Sequence, residues 1–310
     1  MVAVQVASWL AIAFFAAGCR NTSDTPRAAP PAAPVLDAQA RRGLGLWEAA
    51  NRREHVEARR LLTAACEGGS QLGCGGLGAM NLATNREPRE AIALLTSACN
   101  ARINPACATL AGAYDNGTGV ARDDRKAAEL AQTPCEAGEP VACAIYARAM
   151  LFGDHGVRRD PERARALAMN ACELHVASSC TLVGLAESGV FANALEAQRW
   201  LLRGCDAGDG AGCAAVAYQY FDGGLAGEAK GVPVDPEQAV QYATRACDLE
   251  SPIGCALLAR ALDRGVGVAR DVVRAEQLAT KACAANEPAG CAIAAAIAKH
   301  DSDPEHAERR

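Results

Sequence analysis

Between residues 53 and 299, small apolar, large apolar and polar residues follow one another at a helical period, and the same pattern returns seven times. Each copy holds two cysteines, which give it a register. Eight residues before the first cysteine stands an alanine: Ala58, Ala91, Ala127, Ala164, Ala197, Ala239 and Ala275. Five before it stand Leu61, Leu94, Leu130, Leu167, Trp200, Tyr242 and Leu278. Positions three apart share a helix face, so the small residues admit a neighbouring helix and the large ones fill the seam. A second helix is predicted to start near the second cysteine, again pairing large with small, as in Leu77 and Gly78, Val183 and Gly184, or Leu258 and Ala259. Asp123, Asp160, Asp235 and Asp271 are predicted N-caps, with Pro161 and Pro236 at the first helical position. Gly68, Pro105, Gly138, Pro140, Gly208, Pro252 and Pro288 are read as turn residues between the two helices of a copy.

The cysteine pairs are Cys66/Cys74, Cys99/Cys107, Cys135/Cys143, Cys172/Cys180, Cys205/Cys213, Cys247/Cys255 and Cys283/Cys291. On one unbroken helix, residues eight apart lie roughly 12 Å from each other, beyond the ~7 Å that a disulfide allows. A turn between them lets them meet. Successive first cysteines are 33, 36, 37, 33, 42 and 36 residues apart, the period of two-helix solenoid repeats. Metal is the rival reading of the thiols. Structural zinc asks for four ligands at short spacings, whereas each copy offers two cysteines.

Composition places this solenoid. The 310 residues include fifteen cysteines and carry a net charge of −5, with 50% hydrophobic and only 4% aromatic content. Fourteen equally paired cysteines point to an oxidising compartment. The acidic balance, with no basic run bearing interleaved aromatics, sets nucleic acid aside as a partner. Residues 1–18 are an apolar leader ending Phe15-Ala16-Ala17-Gly18 before Cys19, which resembles the lipobox of bacterial lipoproteins. That resemblance implies export, lipid modification of Cys19 and attachment to the periplasmic side of a membrane, an outer-membrane lipoprotein or a cell-surface protein. An uncleaved anchor is the alternative, since the run is near the lower limit for spanning a bilayer. Residues 19–37 are proline- and alanine-rich and read as a flexible tether. Residues 38–299 form the solenoid and 300–310 a polar tail, with Ala38 to Asn51 expected to be an N-terminal capping helix.

The pairs run near 53–84, 88–117, 123–153, 160–189, 192–223, 235–265 and 271–299. Their column code, together with GTGVARD at Gly117–Asp123 and GVGVARD at Gly265–Asp271, resembles the Sel-1-like repeat of the tetratricopeptide-like superfamily. The added cysteine pair is similar to the cysteine-rich exported subgroup. The resemblance implies an all-α fold, a right-handed αα-solenoid of seven disulfide-stapled repeats, built to bind an envelope protein, peptide or cell-wall fragment as a monomer. It also implies a competing activity, because some members of that subgroup are credited with beta-lactamase or penicillin-binding activity.

The search for reactive constellations is negative in sequence. No serine is followed three residues later by lysine, and no G-x-S-x-G elbow occurs, so neither familiar serine hydrolase arrangement is present. His55, His155, His175, His300 and His306 are scattered through different copies and the tail, and no cofactor or metal is expected. Arg59, Arg60, Arg163, Arg165 and Arg199 lie on first helices and are candidates to line a groove for a carboxylate ligand. The longer connector at Gly223–Val234 is read as a surface insertion, with a binding loop as the alternative.

Overall fold

The computed structural model describes residues 33–47, 52–222 and 232–301. They form fifteen helices and no strand: α1 (Ala33–Trp47), α2 (Arg52–Glu67), α3 (Gln71–Ala83), α4 (Pro88–Asn100), α5 (Asn104–Asn116), α6 (Asp124–Glu136), α7 (Pro140–Phe152), α8 (Pro161–Glu173), α9 (Ala177–Gly189), α10 (Ala194–Asp206), α11 (Gly210–Asp222), α12 (Pro236–Asp248), α13 (Pro252–Arg264), α14 (Val272–Ala284) and α15 (Pro288–Asp301). Each helix packs on the next in sequence, and the odd-numbered helices also pack on the next but one. Packing between elements goes no further along the chain than that. This is the quasi-one-dimensional architecture of a solenoid.

Helix starts follow from local chemistry. Asp123, Asp160, Asp235 and Asp271 each accept a hydrogen bond from the backbone N–H three residues on, at 3.0 to 3.1 Å. That satisfies one of the four N–H groups a helix leaves open at its start. Ser70, Asn193 and Ser251 cap α3, α10 and α13 in the same way, a role the sequence pattern did not single out. Pro140, Pro252 and Pro288, expected in turns, instead open α7, α13 and α15, and Pro105 sits in the first turn of α5. Proline fits there because its missing N–H would be unbonded anyway.

The G-x-G connectors have two distinct needs for glycine. Gly117 and Gly265 end α5 and α13 in the left-handed conformation. Gly267, at φ +72°, passes so close to the start of α12 that a Cβ there would overlap the Pro236 carbonyl. Both conditions exclude an ordinary side chain.

The alanine column is the core: Ala58, Ala91, Ala127, Ala197, Ala239 and Ala275 are each 0% exposed. The large residues three later are mostly only half-buried, so Trp200 and Tyr242, expected in the core, lie at its edge. Trp200 keeps its indole N–H on Glu196 at 3.0 Å, and Tyr242 stacks on Tyr220 with ring centroids 5.8 Å apart. The fully buried neighbours are the residues one further on, among them Leu62, Leu95 and Leu201. The first helix also begins earlier than expected. Residues 33–37, assigned to the tether, belong to α1, because Leu36 buries itself against the turn at Gly68, where a Cβ would meet its methyl at 2.7 Å.

Candidate functional site

All seven cysteine pairs are disulfide-bonded, with Cα atoms 4.4 to 4.9 Å apart. Each bridge joins the last turn of an even-numbered helix to the first turn of the odd-numbered helix after it. The second helix of each copy starts near the second cysteine, as expected: Cys74, Cys107, Cys143 and Cys255 lie in the first turn of α3, α5, α7 and α13, three residues beyond the first helical position. The reason is the cap. Ser70, Ile103, Glu139 and Ser251 already accept the first helical hydrogen bond, and the N–H groups of those four cysteines supply it at 3.0 to 3.1 Å. All four side chains are consequently buried, whereas Cys66 and Cys99 are half-buried.

Each of these four sulfurs also rests on its partner's backbone. The carbonyl oxygens of Cys66, Cys99, Cys135 and Cys247 lie 3.7, 3.5, 3.2 and 3.8 Å from the Sγ of Cys74, Cys107, Cys143 and Cys255. A bridged sulfur carries no proton to donate, so these are packing contacts, not the hydrogen bonds a free thiol would make. Cover varies between bridges. Cys205 and Cys213 are 0% exposed and Cys172 and Cys180 are 2%, whereas Cys283 and Cys291 are both partly exposed.

The two rows of helices are not equivalent. Odd-numbered helices from α3 to α15 touch one another along the stack, while consecutive even-numbered helices do not pack closely. In a curved stack the crowded row is the inner one, so the odd helices line the concave side. Their half-exposed stripe includes the fifth residue after the second cysteine, which reads Ala79, Gly112, Arg148, Leu185, Tyr218, Arg260 and Ala296. A Cβ built on Gly112 meets nothing within 4 Å, so on α5 this column faces open space, while Ala79 and Tyr218 lie at the edge of the core clusters beside them. Val141 and Ile253, 49% exposed, stand seven residues before Arg148 and Arg260 on the same face of α7 and α13. Leu185 is 37% exposed between them on α9.

Cations punctuate this apolar stripe. Arg148 forms a two-pronged ion pair with Asp115 of α5. Arg260 lies 5.8 Å from the ring centroid of Phe221 on α11 and has no carboxylate partner among the described residues. Sequence reasoning missed this column for a physical reason. Its neighbours obey a code of small or large residues because they are enclosed; this position is only partly covered and takes alanine, glycine, arginine, leucine and tyrosine alike. Variation between copies at a fixed register was the available signal.

The five arginines singled out in sequence sit elsewhere. They belong to the even helices α2, α8 and α10, the outer row, and the structure does not bring the three helices together. Arg60 and Arg199 pair with glutamates three residues earlier on their own helices, and the Glu57 hydrogen bond raises Arg60 above its ordinary pKa. Arg163 is exposed on α8. Arg59 reaches Asn81 of α3, which is 3% exposed, and burial holds its pKa below the usual guanidinium value. Arg165 donates to Glu187 of α9 at 2.9 Å and lies 4.6 Å from the Phe191 ring centroid.

Arg59 and Arg165 share a register, seven residues before the first cysteine, and both occur where the next cysteine pair follows after only 33 residues. Longer connectors carry a valine into the core, as Val157, Val232 and Val268 do. The short connectors place no valine there. After α9, Phe191 packs on the core instead, with Arg165 over its ring. Before the connector after α3, Arg59 reaches Asn81, so both guanidinium groups are engaged within the fold.

Cys19, His306 and residues 223–231 of the long connector lie outside the described residues. Among the described residues no three His, Cys, Asp or Glu side chains gather as a metal site would require, and no helix is long and apolar enough to cross a membrane.

These features define a class: an all-helical solenoid, stapled at every repeat, with an open inner row. The Sel1 repeat model matches residues 105–138, 140–176, 176–209, 211–251 and 252–287, more than half of the chain. The chain belongs to the Sel1 repeat family. The fold resembles a Sel1 repeat protein from Oxalobacter formigenes at 21% identity and TM-score 0.59, over 79% of this chain and 99% of that one. It also resembles c5321, a protective antigen of uropathogenic Escherichia coli with an SLR fold, at 21% identity and TM-score 0.53. That match covers 87% of this chain but 58% of the other. No curated protein matches the chain significantly in sequence.

The matched units reveal a different frame from the one the cysteines suggest. Each unit begins at an odd helix and ends with the next even helix, as α5 with α6 or α13 with α14. Every bridge between matched units therefore joins one family unit to its neighbour.

Proposed function

We propose that this protein is a non-catalytic scaffold that holds an extended protein or peptide segment along its inner helix row, at the bacterial cell envelope. The observation that carries this reading is the outward stripe of Val141, Leu185 and Ile253, with half-buried Tyr218 in register, beside Arg260, which has no carboxylate partner among the described residues. Such a stripe suits an extended segment with apolar side chains and an acidic residue placed for Arg260. Fourteen bridged cysteines support an oxidising compartment. Lipid attachment through Cys19 would hold the monomeric solenoid on the periplasmic side of the membrane.

The test places a photo-crosslinking residue at Leu185 in the protein expressed with its own leader. A single envelope polypeptide should be captured, and adding Ile253→Asp with Arg260→Glu should reduce capture at least about tenfold without altering the helical melting curve. Equal loss from Glu129→Arg, on the outer row, would remove the inner face from the proposal. Intact mass distinguishes the anchoring modes: acylation at Cys19 supports the lipoprotein, and a retained leader does not. Turnover of a chromogenic cephalosporin that an inner-face substitution abolishes would replace the scaffold with the hydrolase.

A further inference from the structure

Arg148, Leu185, Tyr218 and Arg260 share one register on α7, α9, α11 and α13. Successive odd helices pack on one another, which sets their axes about 8–10 Å apart. A chain lying across them meets one of these side chains per step of that length. The step selects the conformation of the ligand. A β-strand turns a side chain to the same face every two residues, about 6.7 Å, and falls out of phase with the helices at the first step. A polyproline II segment does so every three residues, about 9 Å, and stays in phase across all four.

Hydrogen bonding favours the same conformer. Between the two arginines this register offers Leu185, which is 37% exposed, and half-buried Tyr218, whose hydroxyl is the one polar side-chain group of the two. A strand pressed onto them would leave backbone N–H groups short of acceptors. Proline has no N–H to satisfy, and proline-rich segments dock on aromatic side chains.

Charge sets the phase. Arg148 is already paired with Asp115. Arg260 and the exposed Arg264, one turn apart on α13, have no carboxylate partner among the described residues, while Asp263 is engaged by Arg270. A ligand carboxylate is therefore wanted at α13 and not at α7, α9 or α11. We propose, building on the inner-row scaffold reading, that the ligand is a polyproline II segment with an acidic residue on Arg260. Proline or another apolar residue then stands three and six positions along, on Tyr218 and Leu185.

The probe is a fluorescein-labelled peptide with a central glutamate and prolines three and six residues from it on both sides, so that either chain direction presents the same pattern. Anisotropy with the full chain should show saturable binding below about 1 mM. Moving the prolines to two and four residues from the glutamate keeps the composition and should weaken binding at least about fivefold. Arg260→Glu should weaken binding of the first peptide at least about fivefold, and lysine in place of its glutamate should restore binding to that variant, showing that the variant is folded. Equal affinity for the two proline spacings would overturn the proposal; if Arg260→Glu still weakened both, the inner-row scaffold would stand without this ligand. Absence of saturation by the first peptide would overturn it as well, and capture at Leu185 then decides the scaffold on its own.

Discussion

At the residue scale the fold depends on paired volumes more than on any single large side chain. The residue before the first cysteine is Ala65, Ala98, Ala171, Ala246 or Ala282 in five copies, but Gly204 in the fifth pair. The reason lies on the previous odd helix, where Thr181 replaces the usual glycine or alanine one residue after the second cysteine. A Cβ on Gly204 would overlap the Thr181 Oγ1 and stand 3.0 Å from its backbone nitrogen. Gly204→Ala should therefore cost about 1–3 kcal/mol through overpacking. Thr181→Ala should rescue it, because the Thr181 hydroxyl is buried without a hydrogen-bond partner and its loss costs little. A double-mutant cycle by urea denaturation checks this; additive losses would mean the two side chains do not compete. A second pair behaves in the opposite way. Glu187 is 5% exposed and accepts from Arg165, so Arg165→Ala strands a buried carboxylate and should cost about 2–3 kcal/mol. Arg165→Met with Glu187→Leu should recover most of that loss, because Phe191 already gives this corner an apolar wall. If the single and double variants melt together, the corner does not depend on the ion pair.

At the element scale, the period, the alanine column, the aspartate caps and the cysteine register were all legible, because each repeats one residue type for one local reason. Two columns were not. The fully buried position four before the first cysteine alternates leucine and alanine, as Leu62, Leu95, Ala131, Ala168 and Leu201. Its burial is set by the neighbouring helix and not by a fixed residue type. The inner-face column was invisible for the converse reason, being covered too partially to restrict the residue type. Arginines on first helices drew attention by charge, yet charge on the outer row satisfies itself within a helix, beside a short connector, or on a neighbouring outer helix, as Arg245 of α12 does with Asp206 of α10. The bridges carry a prediction at this scale, since thiol exchange requires access to a sulfur. Under graded reduction of the folded protein, Cys283–Cys291 should open first and Cys205–Cys213 last, following their cover. Alkylation with mass mapping reads the order directly. Simultaneous opening of all seven would show that reduction waits for global unfolding.

At the scale of the whole molecule, the position of the bridges relative to the family unit determines how the solenoid unfolds. A stack with contacts only between neighbours behaves as a chain of unit stabilities and interface terms, and it splits where an interface is weakest. Here every interface between matched units carries a covalent bridge across a loop of about nine residues, worth about 2–3 kcal/mol in the chain-entropy model. The staples thus reinforce the links between units, which is where an alanine-rich stack with little buried area per helix most needs support. Removing one link should have an effect that depends on position. Cys283→Ala with Cys291→Ala should fray α14 and α15 and leave the main transition in place. Cys205→Ala with Cys213→Ala, at a central interface, should divide unfolding into two transitions, because α1–α10 and α11–α15 are then coupled only by packing and the short backbone turn between α10 and α11. Scanning calorimetry with hydrogen exchange on each segment distinguishes the cases. A single unchanged transition in the central variant would mean that packing, not the bridges, carries cooperativity along the stack. In that event the cysteines protect individual turns, and the cooperative unit is set by the alanine columns that run the length of the molecule.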